Sequence, residues 1–86
     1  MNTPTIIARD ARQAGAALRR LRRKLGLTQA ELGARMNVRQ ATISKLEAGE
    51  PATQLRILMD ALTALDLELV IRPRSSVADD DLEAMF

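Results

Sequence analysis

The chain has 86 residues, room for one domain with a small core. It contains no Cys and no His, which excludes disulfides, Cys/His zinc sites and histidine acid–base catalysis. Phe86 is the sole aromatic, which argues against a base-stacking RNA surface, and the charge is divided: residues 1–74 hold all thirteen Lys and Arg but only seven acids, a net of +6, whereas residues 75–86 carry Asp79, Asp80, Asp81 and Glu83.

Alanine and leucine dominate, and Gly and Pro are few, which favours helices. No apolar run approaches membrane-spanning length and no signal peptide is visible, so a soluble cytoplasmic protein without a membrane partner is expected. Along the chain, residues 1–9 form an arm without helical period, with 5–8 as a possible short strand. Asp10 and Gln13 read as a capping box. Ala11, Ala14, Leu18, Leu21 and Leu25 then follow at alternating spacings of three and four, the stripe of an amphipathic helix over roughly 11–25. Arg19, Arg20, Arg22, Arg23 and Lys24 complement its C-terminal dipole, and Gly26 stops it.

In "LTQAEL" Thr28 is an N-cap with Glu31 at N3, and Leu27 can pack on Leu32 as a hydrophobic staple. This second helix spans about 29–36 and ends near Asn37. A third runs to about Ala48 and stops at Gly49. Thr53 is placed to cap a fourth helix with Leu55, Leu58, Leu62 and Leu65 on one face. Ile57, Met59 and Ala61 widen that face beyond what a single domain needs, a hint of cover by another chain. "LELVIR" at 67–72 is strand-like, with Leu67, Leu69 and Ile71 on one face. A lone strand needs a partner, either residues 5–8 or the same strand of a second copy. The domain reading is therefore an arm at 1–9, a helical domain at 10–66 whose role the third helix decides, a strand at 67–73 and a flexible acidic tail at 74–86.

The third helix, "VRQATISKLEAG", has only Ile43 and Leu46 as large aliphatics after its first residue. Two short helices joined by a tight turn make a helix-turn-helix, whose second helix can enter the major groove. Gln suits adenine, Arg and Lys suit guanine, and a methyl can touch thymine. Arg39, Gln40, Ala41, Ser44 and Lys45 are accordingly the expected base-reading face. Thr28, Gln29 and Thr42 are expected at phosphates, with Arg22 and Thr53 added to that set. A solvated helix face is the plainer reading of the same residues. Against it, Arg39 occupies an N-cap position where Ser would gain on the order of 1 kcal/mol.

"GLTQAELGARMNVRQATISKLEAG" resembles the lambda repressor/Cro-like (XRE) helix-turn-helix family over roughly residues 11–65. The resemblance implies an all-α fold of four main helices and an ion pair between Arg22 and Glu47. "QATIS", the basic residue before it and the "LELVI" strand after helix four narrow the resemblance to HipB-type antitoxins. This implies base contacts from Arg39, Gln40, Ala41 and Ser44, with Lys45 matching a base-reading position of the broader family. It also implies a short C-terminal strand that pairs with its copy across a homodimer, autorepression at double-stranded operator DNA, and binding of a HipA-type serine/threonine kinase toxin.

Physical reasoning supports the dimer. One reading helix spans few base pairs, and two copies on a two-fold axis read two half-sites. Leu62, Leu65, Leu67, Leu69, Val70 and Ile71 are the expected interface. In the tail, Leu82, Met85 and Phe86 are apolar residues closing an acidic run. The resemblance makes them the candidate toxin contact, although a solvated end is the simpler reading. The three aspartates match no calcium loop, and neither a metal, a cofactor nor enzymatic activity is expected. A stand-alone helix-turn-helix repressor is the alternative, and a helical interaction module that never meets DNA is the third reading.

Overall fold

The computed structural model describes residues 5–74, so the expected toxin contacts Leu82, Met85 and Phe86 lie outside the described residues. Four helices follow one another: α1, Ala11–Lys24; α2, Gln29–Met36; α3, Gln40–Glu47; and α4, Leu55–Ala64. Each starts and stops where local chemistry dictates, with three exceptions, one of them α3, whose N-cap Arg39 makes no side-chain bond. Asp10 accepts from the Gln13 backbone N–H at 2.8 Å, but the returning Gln13 side chain takes the N–H of Arg9 rather than that of Asp10. Thr28 and Glu31 close a complete capping box on α2 at 3.0 Å in each direction. Asn37 ends that helix in the left-handed region at φ 58.

The third exception is α4. Thr53 does not cap it: its N–H bonds back to the Glu50 carbonyl, which places it in the preceding turn. Gln54 is the N-cap and offers no side-chain hydrogen bond.

The core is Leu18, Leu27, Leu32, Ile43, Leu46, Ile57, Ala61, Leu62 and Leu65. Leu32 and Ile43 are the largest side chains fully withdrawn from solvent, each worth ~1.5–3 kcal/mol relative to an exposed position. Leu27 and Leu32 both belong to this cluster, as the staple requires. The apolar stripe of α1 is displaced from the expected one. Gly15, Leu18 and Arg22 are its buried residues, while Leu25, past the last helical turn, is exposed. Gly15 explains the shift. A Cβ there would stand 2.5 Å from the Glu47 carbonyl oxygen and 2.6 Å from that of Leu46, so α1 meets the end of α3 backbone to backbone.

On α4 the core face is Ile57, Ala61 and Leu62, joined by Leu65 just past the helix. Leu55, expected on that face, is 68% exposed. Leu62 and Leu65, expected at a dimer interface, are instead consumed by the core of their own chain. Leu67 also packs against this core, whereas Leu69, Val70 and Ile71 project into solvent, Ile71 at 87% exposure. No strand is paired among the described residues, so 67–72 does not pair with 5–8 within the chain. No helix of the described residues is long and apolar enough to cross a membrane.

Candidate nucleic-acid interface

Helices α2 and α3 are separated by three residues, 37–39. The left-handed Asn37 reverses the chain, and the Val38 N–H then donates to the Gly33 carbonyl at 2.8 Å. A Cβ on Gly33 would lie 2.8 Å from the Val38 carbonyl oxygen, so the turn folds flat against α2 only because residue 33 is glycine. The geometry fixes how α3 leaves the turn. Ile43, Leu46 and Glu47 face inward, and Arg39, Gln40, Ala41, Ser44 and Lys45 face outward, all exposed. Positions 40 and 44, and 41 and 45, are one helical turn apart, so four of these side chains share one face. Arg39 is the N-cap and makes no side-chain cap bond.

Behind that face stands a buried ion pair. Arg22 Nε donates to Glu47 Oε2 at 2.6 Å and its Nη2 donates to Glu47 Oε1 at 2.9 Å. The remaining terminal nitrogen, Nη1, donates to the Leu27 carbonyl at 2.7 Å, which ties the α1–α2 loop to the same guanidinium. The bidentate fork is the geometry in which Arg and carboxylate pair best. It also removes Arg22 from the phosphate-contacting set. Arg22 is only 5% exposed and all three of its nitrogens are committed inside the fold.

Burial pushes the Glu47 carboxyl up, but hydrogen bonds from Arg22 and Gln29, with the charges of Arg22 and Arg19, outweigh it and hold the group below its ordinary range. The Glu47 hydrogen bonds raise the Arg22 guanidinium above its ordinary value, against its own desolvation. The exposed Glu31 carboxyl is lowered by the hydrogen bonds of its cap with Thr28.

A second link was not legible in the sequence. Gln29 Nε2 donates to Glu47 Oε1 at 3.0 Å, and Gln40 Nε2 donates to Gln29 Oε1 at 3.1 Å. One line of hydrogen bonds therefore runs from the buried ion pair to the first residue of α3. The Gln–Gln contact joins residues eleven apart on different helices, which no local spacing announces. Both ends of the Gln29 amide are engaged, so its expected phosphate contact is left to the second N–H of Nε2 and to its own backbone N–H in the first turn of α2. Thr28 is exposed and its hydroxyl already accepts from Glu31, leaving its proton to donate outward. Thr42 and Thr53 are half-buried, Thr53 in the turn before α4. Arg19, a dipole partner by its place in the sequence, also stands near enough to Glu47 to lower its carboxyl. It is one helical turn before Arg22, which is the signal that finds it.

The family model described as helix-turn-helix matches residues 18–71. Among solved structures, the "HipB-O4 20mer complex" is similar at 28% identity with a TM-score of 0.75, over 80% of this chain and 97% of that one. The "Structure of HipA-HipB-O2-O3 complex" is similar at 28% identity with a TM-score of 0.74, over the same shares. No curated protein sequence matches the chain.

Proposed function

Because the chain belongs to the helix-turn-helix family, we propose that it is a HipB-like antitoxin that binds operator DNA as a homodimer in the cytoplasm, represses its own operon and neutralises a HipA-type serine/threonine kinase. The observation that carries the reading is the outward face of α3. Arg39, Gln40, Ala41, Ser44 and Lys45 contribute nothing to the core, while Ile43, Leu46 and Glu47 hold that face rigidly in place. Each outward residue matches a base edge. Gln40 reads adenine, Arg39 and Lys45 read guanine, Ala41 meets a thymine methyl, and Ser44 accepts or donates. Thr28, Gln29 and Thr42 meet the phosphates that set the register, and the +6 body supplies the long-range attraction. Thr53, in the turn before α4, completes this set.

The dimer rests on residues 69–71. Three consecutive apolar side chains in solvent, beside a half-buried Leu67, suit a strand awaiting its own copy. The kinase partner rests on the likeness to HipB, whose solved complexes include HipA. Leu82, Met85 and Phe86 are the residues offered to it.

The deciding experiment uses the full chain and duplex DNA from upstream of its own gene. Footprinting is expected to show two protected half-sites, and affinity is expected to fall steeply as salt rises, since each neutralised phosphate releases a counterion. Affinity indifferent to salt, or no protected region, refutes the DNA reading. Purification from the native host is expected to bring down a kinase. Its absence, with operator binding intact, favours a stand-alone repressor.

A further inference from the structure

The chain leaves α4 through a tight stop. Asp66 stands in the left-handed region at φ 58, and the Leu67 N–H donates to the Leu62 carbonyl at 2.7 Å. Leu67 is then held against the core, while Glu68, Leu69, Val70, Ile71 and Arg72 are all exposed. In a strand, alternation puts Leu69 and Ile71 on the side of Leu67, and Glu68, Val70 and Arg72 on the other. An acid and a base thus flank Val70 at equal distance on one side. Neither charge joins an ion pair or a side-chain hydrogen bond among the described residues.

Two copies of this strand related by a two-fold axis through the ribbon run antiparallel, and residues that face each other share a side. The residue on the axis then faces its own image, and Leu69, Val70 and Ile71 are the three choices. Centring on Leu69 sets Glu68 against Val70, and Arg72 against Asp66, whose φ of 58 lies outside the strand region. Centring on Ile71 draws Pro73 into the ladder, where it has no N–H to give. Centring on Val70 sets Glu68 against Arg72 of the partner subunit, twice by symmetry, with Leu69 against Ile71 on the other side. Resting on the homodimer proposed above, we propose that Val70 lies on the two-fold axis, and that the two Glu68–Arg72 pairs make the strand selective for a second copy of this chain. Facing opposite charges strengthen a strand pair and facing like charges weaken it, so a strand without the reciprocal acid and base is a poorer partner.

Subunit exchange followed by fluorescence on the full chain, with sedimentation to count subunits, tests the register. Glu68→Arg and Arg72→Glu are each expected to weaken self-association about tenfold, since both facing pairs turn from opposite to like charge. Mixed in equal amounts, the two variants are expected to form a heterodimer within about twofold of the native affinity, because every cation then faces an acid across the axis. Charge pairing within one chain gives no such recovery, and recovery also shows that both variants fold. The double variant Glu68→Arg/Arg72→Glu is expected to pair with itself and to reject the native chain.

If the native chain is a dimer and neither single variant weakens it, the register is wrong and the dimer stands. Weakening of both variants without recovery in the mixture likewise overturns the register. A native chain that sediments as a monomer with and without duplex removes the homodimer, and this inference falls with it.

Discussion

Helices α2 and α3 each run for eight residues, lie against each other across a three-residue turn, and are secured by opposite means. α2 has every local device: a reciprocal capping box, a hydrophobic staple, a left-handed C-cap and an acid in its first turn. α3 has an arginine where a cap belongs, no acid in its first turn and no side-chain bond to its own open N–H groups. Isolated helices this short are marginal in water. α3 therefore persists through Ile43, Leu46 and the Glu47 ion pair, contacts that all come from one side. The helix anchored from behind keeps its first turn open for a ligand, and the helix that stabilises itself serves as the platform.

The largest expected effect falls on the anchor. Arg22→Ala leaves a buried carboxylate without its partner and is expected to cost ~3–5 kcal/mol in denaturant unfolding. α3 should lose amide protection before α2. Equal loss in both helices would show that the two are one unit and would break the contrast. The pH response follows from the same pair. Glu47 is held below its ordinary value of 4.5, so its contribution is present in full above the unfolded value. It disappears as pH falls through the lower, folded value. Thermal unfolding followed from pH 7 downward is expected to be level until the carboxylate range and then to drop, with Glu47→Gln showing a smaller drop.

Next is Gly15→Ala. In an exposed helix that change gains about 1 kcal/mol. Here the new methyl meets two backbone carbonyls of α3 below 3 Å, and neither can swing aside. A loss of ~1–3 kcal/mol is expected. A gain would mean that α1 and α3 are not in backbone contact. The smallest effects sharpen the contrast by opposing signs. Thr28→Ala is expected to cost about 1 kcal/mol by opening the α2 box, whereas Arg39→Ser is expected to add about 1 kcal/mol by capping α3, at the expense of operator affinity. If Arg39→Ser weakens folding, the uncapped start of α3 is not a concession to ligand binding.

The elements that carry their own signals were legible in the sequence. Thr28–Glu31, Asn37 and the termini of α2 stand where local chemistry predicts them. The Arg22–Glu47 pair was reached by family resemblance and is present. The features that sequence reading misplaced are those decided by tertiary contact. Leu25 continues the spacing of α1 but falls beyond the turn where α1 leaves the core, so a correct period gave a wrong burial. Leu62 and Leu65 are apolar enough for an interface, but periodicity cannot say whether the covering surface belongs to the same chain. Arg22 was given two roles, and the committed guanidinium allows one. Gly15 was recognisable as costly in a helix, but the carbonyls that require it lie some thirty residues away.

The one-sided anchoring of α3 bears on how such a scaffold diversifies. Positions 39, 41, 44 and 45 contribute no packing to the core, so their identities are uncoupled from the survival of the fold, whereas position 40 is tied to the buried pair through Gln29. Paralogues or laboratory libraries can exchange these four letters and acquire new target sites without first acquiring compensating changes elsewhere.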